Sequence, residues 1–183
     1  MESRTSPSYR LFFALKPPPV VARQIDRFAG TLATDVQNIP IENQHVTLGI
    51  TDDWPDYPYE MVKALRRSAA RMMAEPFDLL MDGVNVGARS AALRPSQRIT
   101  GLKQVRRQVA DAMARAGAMP RAGWHFSPHQ TLFYRAGQPA QQRIDGFGWR
   151  VEEVVLMCSH VGRTRHETIG TWPLLGDAQY SLF

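Results

Sequence analysis

Apolar and polar positions change period several times along the chain, and each change predicts an element. The run YRLFFAL, Tyr9 to Leu15, reads as a β-strand; the prolines of KPPPV end it, and one of them can open a helix. Val21, Ile25, Phe28 and Leu32 then recur at spacings of 4, 3 and 4, which is one face of a helix. QHVTLGI, rich in β-branched residues, predicts a second strand that TDDWPDYP terminates. Met61, Leu65, Ser68 or Ala69, and Met72 mark another helix, which EPF closes ahead of the strand FDLLMDGVNV.

The second half begins again with a short strand, SAALRP. A helix follows, with Leu102, Val105, Val109, Ala112 or Met113, and Ala116 on its apolar face and Gly117 near its end. HQTLFY is the next strand, and RVEEVVLMCSHV and HETIGTWPL read as two more. Both halves thus run strand, helix, loop, then a strand carrying H-x-T-L. Leu11 and His45 are 34 positions apart, and Ala91 and His129 are 38 apart. This predicts an internal duplication of two units. The expected fold is α+β and bilobal, with strand-helix-strand units related by a pseudo-twofold axis around a central cleft.

Composition narrows the class. The 183 residues, 44% of them apolar, suit one domain over 1–183 whose two lobes share a core. Twenty-two Lys and Arg against 17 Asp and Glu give a formal charge of +5, which favours an anionic partner such as nucleic acid. The single cysteine, Cys158, lies in VVLMCS, so it reads as a buried inert thiol in a reducing compartment. No run approaches the length of a membrane span, and MESRTSPSYR is too polar for a signal peptide. A cytoplasmic protein is expected, monomeric and without membrane attachment.

The two H-x-T-L strands carry the candidate chemistry. Side chains two apart share a strand face, so His45 lies with Thr47 and His129 with Thr131. If the lobes pack about a twofold axis, the strands lie side by side and the four polar groups meet in one cleft. Imidazole titrates near neutral pH and serves as either proton acceptor or donor, so two of them suit phosphodiester cleavage, with the hydroxyls holding non-bridging oxygens. A lone strand histidine is ordinarily a surface or satisfied core residue; the repetition at matched places favours function. Two histidines with no cysteine pair, H-x-x-x-H or carboxylate cluster make a poor metal site, so no metal or cofactor is expected. His125, His160 and His166 stand outside the two matched H-x-T-L strands and read as structural or exposed, and Trp124 reads as core.

In YRLFFALKPPP, IENQHVTLGI, FSPHQTLFYR, VEEVVLMCS and TIGTWPLL, in that order, the chain resembles the two-histidine phosphoesterases, within them the 2′-5′ RNA ligase or RNA 2′,3′-cyclic phosphodiesterase family. The resemblance implies metal-independent hydrolysis of RNA 2′,3′-cyclic phosphate ends to 2′-phosphates, with weak 2′-5′ joining as the reverse-type reaction. It also implies that His129 is the general base, that His45 is the general acid, and that Thr47 and Thr131 bind phosphate oxygens. Partners would be RNA ends or nucleotides bearing a cyclic phosphate. The commoner family pattern has arginine five positions after the second histidine, where this chain has Tyr134. Arg135, at six, is the substitute if alternation keeps it on the face of His129; otherwise it is a solvated strand-end arginine. Phe13 stacks on a nucleobase by the same likeness, or packs in the core. Arg163 and Arg165 form a basic loop that steers RNA phosphates or a solvated turn. Two alternatives remain: a small cyclic nucleotide or 2′-5′ oligoadenylate as substrate, or a binding protein without chemistry.

Overall fold

The computed structural model describes residues 8–135 and 137–176. Among these residues eight strands and three α-helices follow one another in the order β1 (Ser8–Leu15), α1 (Pro19–Leu32), β2 (Val46–Trp54), α2 (Tyr59–Ala69), β3 (Phe77–Val86), β4 (Ser90–Arg94), α3 (Thr100–Arg115), β5 (Gln130–Tyr134), β6 (Ala140–Val151), β7 (Glu153–Val161) and β8 (Arg165–Pro173). They form two antiparallel four-stranded sheets, β2-β1-β7-β8 and β5-β4-β3-β6. The mixed α+β class expected from the periodicities is the class observed. No helix among the described residues is long and apolar enough to cross a membrane.

The central strand β1 has apolar side chains on both faces because neighbours cover both. Leu11, Phe13 and Leu15 point into an apolar cluster that runs through both sheets and all three helices. Phe12 and Ala14 point the other way, into a small cluster with Val155 and Met157. The helices tie the sheets together crosswise: α1 packs on β5 and β6, and α3 packs on β2 and β3. Gly49 of β2 permits that approach, since a Cβ there would stand 2.7 Å from the Met113 sulfur of α3. Cys158 is buried in the large cluster, and burial pushes its thiol up to about 11, which makes it inert.

Both H-x-T-L strands are edge strands, and they do not pair with each other. The free edge of β5 is covered by residues 38 and 39 of the first half, through Ile39 N–H donating to Leu132 O at 2.8 Å. The free edge of β2 is covered by residues 120 and 121 of the second half, through Arg121 N–H donating to Ile50 O at 2.8 Å. Each half thus satisfies the other's exposed ladder groups.

One strand escaped the periodicity. β6 pairs with β3 at the edge of the second sheet and is mostly exposed, so nothing forces apolar alternation on AQQRIDGFGWRV. The expected strand RVEEVVLMCSHV is two strands of different sheets, divided at Glu152.

Candidate active site

His45 and His129 each occupy the extended residue immediately before an edge strand, and both line one cleft of about 230 Å³ together with Thr47 and Thr131. The same local device orients both rings. His45 Nδ1 lies 2.6 Å from Asn43 O, and His129 Nδ1 lies 2.7 Å from Ser127 O. A carbonyl only accepts, so Nδ1 carries the hydrogen in each ring and Nε2 is left to accept a proton or, once protonated, to give one. Burial is the main cause that pushes His45 down to about 4, opposed by its bond to Asn43 and reinforced by His166, His129 and Lys16. His45 is therefore a neutral imidazole at neutral pH.

A bulge recurs after each threonine and decides which later residue enters the cleft. In β2, Thr47 pairs with Ala14 and Gly49 with Phe13, leaving Leu48 as the extra residue. In β5, Thr131 pairs with Ala92 and Phe133 with Ala91, leaving Leu132 extra. An extra residue inverts the alternation beyond it, so the third residue after each threonine, Ile50 and Tyr134, shares the threonine's cleft. The expectation for Arg135 fails for this reason. It does not line the cleft; its guanidinium pairs with Asp35 at 2.8 Å on the exposed surface. Tyr134 takes the cleft position with 70% of its surface exposed. The adjacent large apolar pair Leu132-Phe133 was the signal, because an unbroken edge strand alternates.

Phe13 also lies elsewhere than its stacking role requires. It is 1% exposed and packs against Trp172 in the large cluster, with ring centres 6.0 Å apart. Phe12 is the aromatic of β1 at the cleft, forming its floor with ring centres 4.8 Å from His45 and 5.4 Å from His166. Since β1 is apolar on both faces, its sequence could not tell which face meets the cleft. His166 was read as structural or exposed, yet it lines the cleft 5.5 Å from His45, with a buried Nδ1 that has no partner. Burial, then the charges of Lys16 and Arg10, lower its pKa. Thr168 follows it at the H-x-T spacing, a signal that stands outside the two duplicated units because His166 arrives from β8. His160 instead packs on Tyr9 and faces Glu167, His125 is exposed, and Trp124 lies half-buried under Arg106. Arg165 of the basic loop is paired with Glu167, so its charge is not free.

Behind the cleft, the residues flanking the two histidines meet. Gln130 Nε2 donates to Gln44 Oε1 at 3.0 Å, and Gln44 Nε2 donates to Ala22 O at 3.1 Å. Gln130 is 0% exposed, so this bond is the inner strut between the two motifs. Replacing Gln130 with leucine leaves Gln44 Oε1 unpaired, a loss expected at about 1–3 kcal/mol in thermal or urea unfolding. The double change Gln44→Leu with Gln130→Leu should recover part of it; additive losses would show that the two amides act independently.

A profile of the 2′-5′ RNA ligase superfamily matches residues 17–163, a span that contains both histidine motifs and the bulged strands after them. The chain belongs to the 2′-5′ RNA ligase superfamily. Several solved structures are similar to the chain over almost their whole length. E. coli LigT complexed with 3′-AMP is 26% identical with a TM-score of 0.76, covering 92% of this chain and 99% of that one. The same protein complexed with phosphate gives 25% and 0.73, with coverage of 92% and 99%. A structure described as a phosphoesterase gives 26% and 0.74, with coverage of 90% and 97%. No curated protein sequence is significantly similar to the chain. A superfamily of two-histidine phosphoesterases suits what the cleft offers, two imidazole Nε2 atoms and two hydroxyls.

Proposed function

We propose that the protein is a phosphodiesterase that opens RNA 2′,3′-cyclic phosphate ends to 2′-phosphates without a metal. The carrying observation is the matched pair of imidazoles, each tied at Nδ1 to the carbonyl two residues before it and each with a threonine in the same cleft. Neutral His129 takes a proton at Nε2 from water as the water oxygen bonds to phosphorus. The P–O3′ bond breaks, and His45 gives its Nε2 proton to the departing oxygen, leaving a 3′-hydroxyl and a 2′-phosphate. The hydroxyls of Thr47 and Thr131 donate to the non-bridging oxygens, where charge accumulates in the transition state. With Tyr134 where the commoner family pattern has arginine, Lys16, whose charge reaches both His45 and His166, supplies positive charge, and the exposed Tyr134 ring is a surface for the terminal base. The two lobes act as one domain around this cleft.

An octaribonucleotide ending in 2′,3′-cyclic phosphate is the test. Turnover should yield only the 2′-phosphate, survive EDTA and follow a bell-shaped pH profile. Loss of activity on chelation, or a 3′-phosphate product, would overturn the reading.

The acid must acquire its proton, and burial works against that. An anion between the imidazoles counters burial and raises the His45 pKa from about 4. Between the two values the complex holds more protons than its free components, so binding takes up protons and affinity falls as pH rises. Titration calorimetry of inorganic phosphate near pH 6, in buffers of different ionisation heat, should register net proton uptake; release would contradict it. For folding, the lowered pKa has the corresponding consequence that stability declines as pH drops from 6.5 toward 4.

A further inference from the structure

We propose that the groove beside the start of α3 is a second nucleic-acid site, which holds single-stranded RNA upstream of the end that enters the histidine cleft. The proposal rests on the reading of that cleft as an RNA-end site. The groove has a volume of about 790 Å³, larger than the cleft, and its wall contains Arg98, Lys103 and Arg106 but no aspartate or glutamate. Among the described residues none of these three cations forms an ion pair, whereas Arg10, Arg121, Arg135, Arg143 and Arg150 all do. Three uncompensated charges in one concave surface make a site for a polyanion.

The groove is preformed. The Arg106 guanidinium lies 5.4 Å from the ring centres of both Trp124 and Phe126, and its Nε is buried without a partner. One wall, at Ser96, is pinned to Asp82, whose carboxylate accepts from Ser96 N–H at 2.7 Å and from Ser96 Oγ–H at 2.6 Å. Phe126 contributes ring surface to the groove. A cationic track with aromatic surface is the arrangement that holds single strands without regard to sequence.

The groove also shares a stretch of chain with the cleft. Phe126 and Pro128 line it, and Ser127 between them supplies the carbonyl that orients His129. Phe126 and His129 are three positions apart, so their backbones lie at most about 10 Å from each other. A strand whose last phosphate sits between the histidines can therefore run its preceding phosphates past Arg98 and Lys103.

The test uses the exposed pair Arg98→Ala with Lys103→Ala in the full chain. Binding of fluorescent octauridylate with a 3′-phosphate is followed by anisotropy at several salt concentrations. The variant should bind about tenfold more weakly at low salt, with the slope of log Kd against log salt reduced by roughly 0.7 per lost phosphate contact. Its KM for cyclic-phosphate-ended octauridylate should rise about tenfold more than its KM for 2′,3′-cyclic UMP, and Arg98→Lys should restore most of the slope. Equal changes on octamer and mononucleotide, or an unchanged slope, would overturn the proposal, as would displacement of the octamer by polyglutamate as readily as by RNA. If the wild type hydrolyses neither substrate yet shows variant-sensitive octamer binding, the catalytic reading fails and the groove stands.

Discussion

Replacing His129 with alanine should lower kcat on a cyclic-phosphate-ended oligoribonucleotide by about 10²–10⁴-fold, the usual worth of a positioned acid or base. His129 is half-buried at the end of an extended segment, and only its Nδ1 is engaged, with Ser127 O. Its removal therefore costs little packing and takes away the atom proposed to accept the proton of water. KM should change less than kcat, since the phosphate oxygens keep both threonines and His45. A near-native rate for the alanine variant would remove His129 from the reaction.

His45→Ala should be as damaging on the natural leaving group and much less so on an activated one. Protonation matters because a ribose 3′-alkoxide leaves poorly, whereas p-nitrophenolate leaves without help. Comparing a cyclic-phosphate oligonucleotide with bis-p-nitrophenyl phosphate should show a loss of about 10²–10⁴-fold on the first and only a few-fold on the second. Without an anion His45 is neutral, so the bound phosphate has to load it with the proton that it gives to the leaving oxygen. Equal losses on the two substrates would exchange the roles and make His45 the base. The comparison is informative because the two rings are anchored identically, so geometry alone does not rank them.

The groove beside α3 alters how the RNA end is expected to be chosen. In the proposed reading the cleft takes the terminal phosphate and its base, so preference for a polymer over a mononucleotide has to come from outside it. Arg98, Lys103 and Arg106 lie on the second half of the chain, beside His129. Polymer preference and proton abstraction would then be served by the same half.

How much was legible follows from which residues lie under strong local constraint. Helices α1, α2 and α3 bury one stripe each, so Ile25, Leu65 and Val105 announce them at helical spacing. The exposed edge strand β6 buries almost nothing and announces nothing. Within the cleft, His45 and His129 were visible because a rare residue recurs in the same short pattern. Gln130 was invisible because it meets Gln44 from far away in sequence, and His166, although Thr168 follows it at the H-x-T spacing, lies outside the two duplicated units and reaches His45 from β8.

By itself, then, the sequence determined the α+β class, most of the strands and helices, Cys158 as a buried thiol, and the two histidine-threonine pairs. All of these depend on side chains a few positions apart, where the periods of strand and helix hold. Tertiary structure alone decided that Tyr134 and not Arg135 enters the cleft, that Phe12 and not Phe13 forms its floor, and that a third imidazole joins the pair. The physical reason is parity and distance. One bulged leucine reverses the faces of everything after it, a strand apolar on both sides carries no mark of which side is the site, and contacts between distant elements leave no local period to read.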